Sequence, residues 1–169
     1  MAATTPLTIR DFLEDVREGT LARLSPRLGE PVAKRVFSSL QIHFGEPRLH
    51  YEVWPVRKTG RIEVGLHIEG PQDWSREVAG RLAAQADDLR SALGDEFELE
   101  DWTASWCRLH TTVPLARLTE SLAADVATST VHLIEAAEPI VRALELPVPS
   151  VPSGKGSWDR SRWGRRRGG

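Results

Sequence analysis

Two short runs near the middle of the chain alternate between apolar and polar side chains. In the first, Leu49, Tyr51 and Val53 are separated by His50 and Glu52, and Trp54 follows. In the second, Ile62, Val64, Leu66 and Ile68 are separated by Glu63, Gly65 and His67, and Glu69 follows. A period of two places each set on its own face of a β-strand. Lys58, Thr59 and Gly60 lie between the runs and are turn formers, so the pattern predicts a β-hairpin. Facing the apolar sets together fixes the parity of pairing, because a one-residue slip would turn one strand over. A tight turn at Lys58-Thr59 then sets His50 opposite His67, Trp54 opposite Glu63 and Tyr51 opposite Leu66. A shift by two residues keeps the same parity.

Outside the hairpin the period lengthens. Thr8 caps a first predicted helix that runs to about Glu18, with Phe12, Leu13 and Val16 on one face and Gly19 at its end. Val32, Val36, Phe37 and Leu40 read as a second helix after Pro31. Residues 21–28 stay open between the two, and Pro26 argues against one continuous helix. Residues 71–93 read as a single helix, capped by Asp73 or Ser75. Val78, Leu82, Ala86, Leu89 and Leu93 form its stripe, and Gly94 ends it. Residues 96–100 alternate as a short strand. Residues 105–112 read as another, with Cys107 and Leu109 inward, stopped by Pro114. Leu115, Leu118, Leu122, Val126, Leu133, Ala137, Ile140, Val141 and Leu144 trace a long last helix, kinked or interrupted by Pro139. The expected fold is α+β: an antiparallel sheet of about four strands, in two hairpin-like pairs, covered by helices and completed by a long C-terminal helix. One domain is expected over residues 5–146. A Pro/Gly/Arg-rich basic tail, expected to be disordered, follows over residues 147–169.

Composition changes this picture little. The chain has 169 residues, 40% hydrophobic and 27% charged, enough for one core without disulfide or metal staples. The single cysteine, Cys107, excludes an internal disulfide and points to a reducing compartment. Its apolar neighbours mark it as an inert thiol. The first ten residues do not read as a secretory signal, and no stretch approaches the ~20 apolar residues of a membrane span. A soluble, cytoplasmic protein without a membrane partner is expected. Lysine occurs only at positions 34, 58 and 155; the preference for arginine marks a GC-rich bacterial genome.

Charge is unevenly spread. From residue 152 onward the chain carries Lys155, Arg160, Arg162, Arg165, Arg166 and Arg167 against Asp159. This tail is net +5 on a chain of net -2, so the body before it is net -7.

Four groups of residues point to chemistry. His50, Glu52, His67 and Glu69 share the polar face of the hairpin, and imidazole with carboxylate suits zinc or iron, or general acid–base work. The same alternation is also that of an ordinary solvated sheet face. Glu52, Glu63 and Glu69 make an incomplete nuclease set, because Gly65 stands where a magnesium-dependent nuclease of the restriction type would place lysine. Trp54, Trp102 and Trp106 form either an aromatic ledge for peptide or base stacking, or ordinary packing. In the tail, Arg160, Arg162, Trp163, Arg165, Arg166 and Arg167 interleave charge with an aromatic ring. That pattern suits nucleic-acid phosphates and bases, an acidic partner, or the chain's own acidic body. No phosphate loop, dinucleotide fingerprint, metalloprotease helix or nucleophile elbow occurs, and no cofactor is called for.

Residues 49–144 resemble an uncharacterised family of bacterial domains. The likeness lies in the Glu-rich strand over residues 61–69, Leu93-Gly94 at a helix end, the Trp-bearing acidic strand over residues 98–102, and the long terminal helix. The resemblance implies no activity and carries over no catalytic residue. The element order is also similar to secretion-chaperone-like domains, which implies binding of partner polypeptides and dimerisation; the extra first helix and the basic tail depart from it. The leading functional expectation is therefore a non-catalytic protein-binding or chaperone-like module that binds another protein or a second copy of itself. Nucleic-acid association through the tail, with a nuclease-like variant, and a metal-dependent enzyme at the hairpin stand as alternatives.

Overall fold

The computed structural model describes residues 6–147. The basic tail and its candidate residues lie outside them. Six strands form one sheet in the order β1-β2-β3-β4-β6-β5, antiparallel throughout. They are β1 (Val32–Val36), β2 (Ser39–His43), β3 (Leu49–Val56), β4 (Arg61–Ile68), β5 (Glu98–Asp101) and β6 (Cys107–Pro114). Four α-helices accompany them: α1 (Ile9–Leu21), α2 (Gln72–Ala83), α3 (Ala86–Leu93) and α4 (Glu120–Ala143). A single 3-10 turn, Pro26–Leu28, follows α1. The fold is thus α+β with an antiparallel sheet and a long C-terminal helix, as expected, but with six strands instead of about four.

The central hairpin has the register read from its alternation. His50 pairs with His67, Trp54 with Glu63 and Tyr51 with Leu66. Gly60 closes the turn at φ 63°, a left-handed conformation that glycine adopts without steric cost. Thr8 caps α1 as expected, its hydroxyl accepting from the Asp11 amide.

The two additional strands replace the predicted second helix. Val32, Val36, Phe37 and Leu40 match helical spacing only because a turn restarts the count between them. Val36 pairs with Ser39, leaving Phe37 and Ser38 as a two-residue turn. Beyond it Leu40 and Ile42 alternate with Gln41 and His43, and pair with Val53 and Tyr51 of β3. Pairing of this kind buries Leu40 and Ile42 on the core face, and tertiary burial outweighs a weak helical pattern. β1 forms an edge and carries exposed Lys34 and Arg35, charges that discourage further strand addition.

The helix predicted over residues 71–93 is two helices, joined at Ala84-Gln85. Its stripe serves two neighbours: α2 lies on β4 and β6, and α3 lies on α4. Neither Asp73 nor Ser75 caps α2. Pro71 occupies the cap position, and the Ser75 hydroxyl instead ties back to the amide and carbonyl of Gly70. Helix α4 begins at Glu120, capped by Thr119. It passes through Pro139 without ending.

The core lies between one sheet face and the helices. Phe12, Leu13 and Val16 of α1 and Leu133, Ile134 and Ala137 of α4 join Val53, Ile62, Val64, Leu66 and Ile68 in a single cluster. One polar link crosses it. The Tyr51 hydroxyl donates to Glu138 Oε2 at 2.8 Å, and Arg142 Nε donates to Glu138 Oε1 at 3.0 Å. Burial, then the adjacent Glu138 carboxylate, hold the Tyr51 hydroxyl well above its ordinary pKa. Replacing Tyr51 with phenylalanine leaves the buried carboxylate short of one donor and is expected to cost about 1–3 kcal/mol, read from urea unfolding. Among the described residues no helix is long and apolar enough to cross a membrane.

Candidate functional site

The opposite face of the sheet carries the alternating polar set, and it is buried. His50 is 3% exposed, Glu52 8%, Glu63 4% and His67 0%. The expectation of a solvated face therefore fails. A cover accounts for it: the segment between β5 and β6 folds back over this face. Trp102 of that segment sets its ring 4.7 Å from the His67 ring, edge to face, and 6.3 Å from Trp54. The Arg108 guanidinium lies over Trp102 at 5.3 Å, and Trp106 adjoins it at 6.0 Å. The Gln72 side chain donates to the Ala104 carbonyl at 2.8 Å and anchors the segment to the start of α2.

Pairing in register brings the four predicted hairpin residues together. His50, Glu52, His67 and Glu69 each offer one ligand-type atom, and these atoms all lie within 4.8 Å of one another. His50 Nε2 is 3.1 Å from Glu52 Oε2 and 3.9 Å from Glu69 Oε1. His67 Nδ1 is 3.1 Å from Glu69 Oε1 and 3.8 Å from Glu52 Oε2.

What lies behind each imidazole fixes its state. His50 Nδ1 sits 2.9 Å from the Pro47 carbonyl, which only accepts, so that nitrogen carries a proton. His67 Nε2 sits 2.7 Å from Glu63 Oε1 and donates to it. Both remaining nitrogens therefore point at the two carboxylates. At neutral pH the carboxylates around His67, whose pKa is raised to about 9, keep a second proton on that ring. Gln41 Nε2 further donates to Glu52 Oε2 at 3.0 Å. Glu63 is held in turn by Arg108, at 2.5 Å, and Arg108 bonds Glu100 at 2.7 Å.

Without a cation Glu52 and His67 hold each other charged. Burial pushes the Glu52 carboxyl up, but the His50 hydrogen bond and the His67 charge outweigh it and bring its pKa down to about 2. Burial likewise pushes His67 down, and its bonds to Glu63 and Glu69 outweigh that and raise it to about 9. The signs set a stability window for metal-free protein. The Glu52 contribution is present above its ordinary value of 4.5 and is lost as pH falls toward about 2. The His67 contribution is full below 6.5 and is lost as pH rises through about 9. The melting temperature of chelator-treated protein is expected to plateau between these ordinary values and to fall on both sides.

A cleft opens beside the cluster. It has a volume of about 400 Å³ and is lined by Val36, Phe37, Ser38, Ser39, Gln41, Glu52, Trp54, Glu69, Trp102 and Trp106, with no arginine or lysine among these lining residues. The predicted aromatic ledge is thus its wall. Phe37 projects from the β1–β2 turn, 73% exposed, at φ 54°. Two-residue hairpin turns require a positive φ at their first residue, so this conformation follows from the turn.

Other candidates fare differently. Glu63 is bonded to His67 and Arg108, so Glu52, Glu63 and Glu69 do not share one open site. A Cβ at Gly65 would meet His110 Cβ at 2.8 Å, so the lysine of the nuclease pattern has no room there. Glu98, Glu100 and His110 form a second acid–imidazole group near the sheet edge, but Glu100 is already engaged by Arg108. Cys107 is buried and its thiol faces Asp101 at 3.3 Å; burial, then this contact, push it up to about 11, as suits an inert thiol. Pro47, Gln41, Glu63 and Arg108 support the cluster, and the metal set read from the sequence lacks them. Compared with protein-family models, curated proteins and solved structures, the chain matches none.

Proposed function

We propose that His50, Glu52, His67 and Glu69 bind one divalent first-row transition-metal ion, and that the protein acts with it on a small molecule held in the adjoining cleft. One observation carries this reading: each imidazole is oriented from behind, by Pro47 or by Glu63, so that its other nitrogen meets two carboxylates. An acceptor behind a histidine is the usual device for fixing a metal-binding tautomer. For metal–ligand bonds of about 2.0–2.2 Å, ligand atoms in a tetrahedron stand about 3.3–3.6 Å apart. Of the six separations among the four ligand atoms, the four between imidazole and carboxylate, at 3.1, 3.9, 3.8 and 3.1 Å, bracket that range, and all six lie within 4.8 Å.

Two nitrogen and two oxygen donors suit zinc, manganese or iron(II). Two carboxylates balance a dication, and Glu63 is paired with Arg108, which it shares with Glu100. Glu52 and Glu69 line the cleft while the imidazoles do not. A substrate oxygen or a water would therefore approach from the carboxylate side. A bound dication there would supply Lewis-acid polarisation or an activated water. Energetics favours a functional cause for the cluster, because a buried ionic network is seldom more stable than apolar packing of the same volume.

Elemental analysis of protein purified without chelator tests the reading, together with thermal melts of chelated protein after zinc, manganese or iron(II) is added. About one equivalent of metal, and a rise in melting temperature that grows with metal concentration, are expected. Metal-free protein that gains no stability from any of the three refutes it.

A further inference from the structure

Among the described residues only Val32 and Phe37 are large apolar side chains left exposed, and Phe37 stands at the cleft. Trp54 of β3 and Trp102 and Trp106 of the segment between β5 and β6 line the same space. Aromatic rings from three separate parts of the chain thus bound one volume of about 400 Å³, a size that suits a small organic molecule. The rings do not close it by stacking on one another. Trp102 and Trp106 are tilted by 36° at 6.0 Å, and Trp54 meets Trp102 edge-on at 6.3 Å.

Charge narrows what the molecule can be. No arginine or lysine lines the cleft, so an anion entering it would give up water and meet no counter-charge. A cation fares no better, because the carboxylates are already engaged. Glu52 Oε2 lies 3.1 Å from His50 Nε2 and accepts from Gln41 at 3.0 Å, and Glu69 Oε1 lies 3.1 Å from His67 Nδ1. The Ser39 hydroxyl is committed as well, donating to the Val36 carbonyl at 3.1 Å. With these polar groups taken, aromatic and apolar contact is what the cleft has left to offer a ligand.

We propose that the cleft binds a small uncharged aromatic molecule, held between Phe37, Trp54, Trp102 and Trp106. A hydroxyl or carbonyl oxygen on its ring would reach the metal from the carboxylate side. The proposal names the substrate class of the metal site described above; it rests on that reading for the reaction and not for the binding. A ring that enters covers Phe37 and adds face or edge contacts to the indoles. Each such aromatic pair adds ~2–10-fold to affinity beyond the area it buries.

The test titrates the chelator-treated full chain with four probes of similar size: a naphthylmethanol, the corresponding naphthoate, the corresponding naphthylmethylammonium, and the fully saturated alcohol. Calorimetry gives the affinities, and indole N–H signals in NMR spectra give the place. The naphthylmethanol is expected to bind one to one and to shift the signals of Trp54, Trp102 and Trp106, but not that of Trp74 in the core. The saturated alcohol is expected to bind ~2–10-fold more weakly. The anion and the cation are each expected to bind at least ~10-fold more weakly. Phe37→Ala, which trims an exposed ring, and Trp106→Ala are each expected to weaken the naphthylmethanol several-fold. No binding of the neutral probe, equal or tighter binding of either ion or of the saturated alcohol, unchanged affinity in both variants, or shifts centred on Trp74 would each overturn the proposal. Zinc uptake, measured without any probe, keeps the two readings apart. Ring binding by a protein that takes up no zinc sinks the metal reading and keeps this one; zinc uptake by a protein that ignores the naphthylmethanol does the reverse.

Discussion

Changing His67 to alanine is expected to lower metal affinity by at least ~100-fold, the scale on which even outer-sphere partners of metal ligands matter. In metal-free protein the same change is expected to cost about 3–5 kcal/mol, because it leaves buried carboxylates without their counter-charge. His67 is fully buried and lies within 4 Å of Glu52, Glu63 and Glu69. Removing it takes a partner from three acids at once: Glu52 keeps His50 and Gln41 and Glu63 keeps Arg108, but Glu69 loses the imidazole 3.1 Å away. A dye-competition titration reads the first effect, and urea unfolding in chelator reads the second. Glu63→Gln separates orientation from ligation. It retains an acceptor for His67 Nε2 but withdraws the charge, so a loss of ~10–100-fold in affinity is expected, with the ligand set intact. One equivalent of tightly held metal in His67→Ala would remove this residue from the site.

Much of this cluster was legible because the central hairpin is strongly patterned. Alternation over residues 49–69 fixes which side chains share a face, and a turn centred on Lys58-Thr59 gives the observed register, although a shift by two residues would have kept the same parity. Together they put His50, Glu52, His67 and Glu69 on one face, and the observed register brings them into one patch. What alternation does not reveal is whether the polar face is wet. That depends on residues 102–106, which share no sheet register with the hairpin yet fold over it, held by Gln72 and by Arg108 against Trp102. Burial turns the patch from a solvated surface into an ion-paired cluster in which the proton affinities of Glu52 and His67 are shifted. Gln41 and the Phe37 turn were hidden for another reason: a helix-like spacing of Val32, Val36 and Leu40 masked a two-residue hairpin. The alternation of Leu40 and Ile42 with Gln41 and His43 was the available signal. Arg108 was legible by parity, since Cys107 and Leu109 point inward and their neighbour must point to the cluster face.

Replacing Trp102 with alanine is expected to have the second largest effect, about 3 kcal/mol of lost stability by the scale of large-to-small aromatic truncations. Metal affinity should fall with it although no ligand changes. The indole touches His67 on one side, Trp54 and Trp106 on others, and carries the Arg108 guanidinium over its face. Without it water reaches His67 and Glu63, and their interaction weakens as the local dielectric rises. The Arg108 pairing with Glu63 becomes a screened, exposed pair worth about 0–1 kcal/mol. Trp106→Ala removes a wall of the cleft but leaves the cover over His67, so a smaller loss of stability and near-parental metal affinity are expected. Urea melts and the metal titration, run on both variants, tell a cover from a wall. Equal effects in the two would mean that the 102–106 segment acts as one unit, and that burial of His67 does not depend on Trp102 in particular.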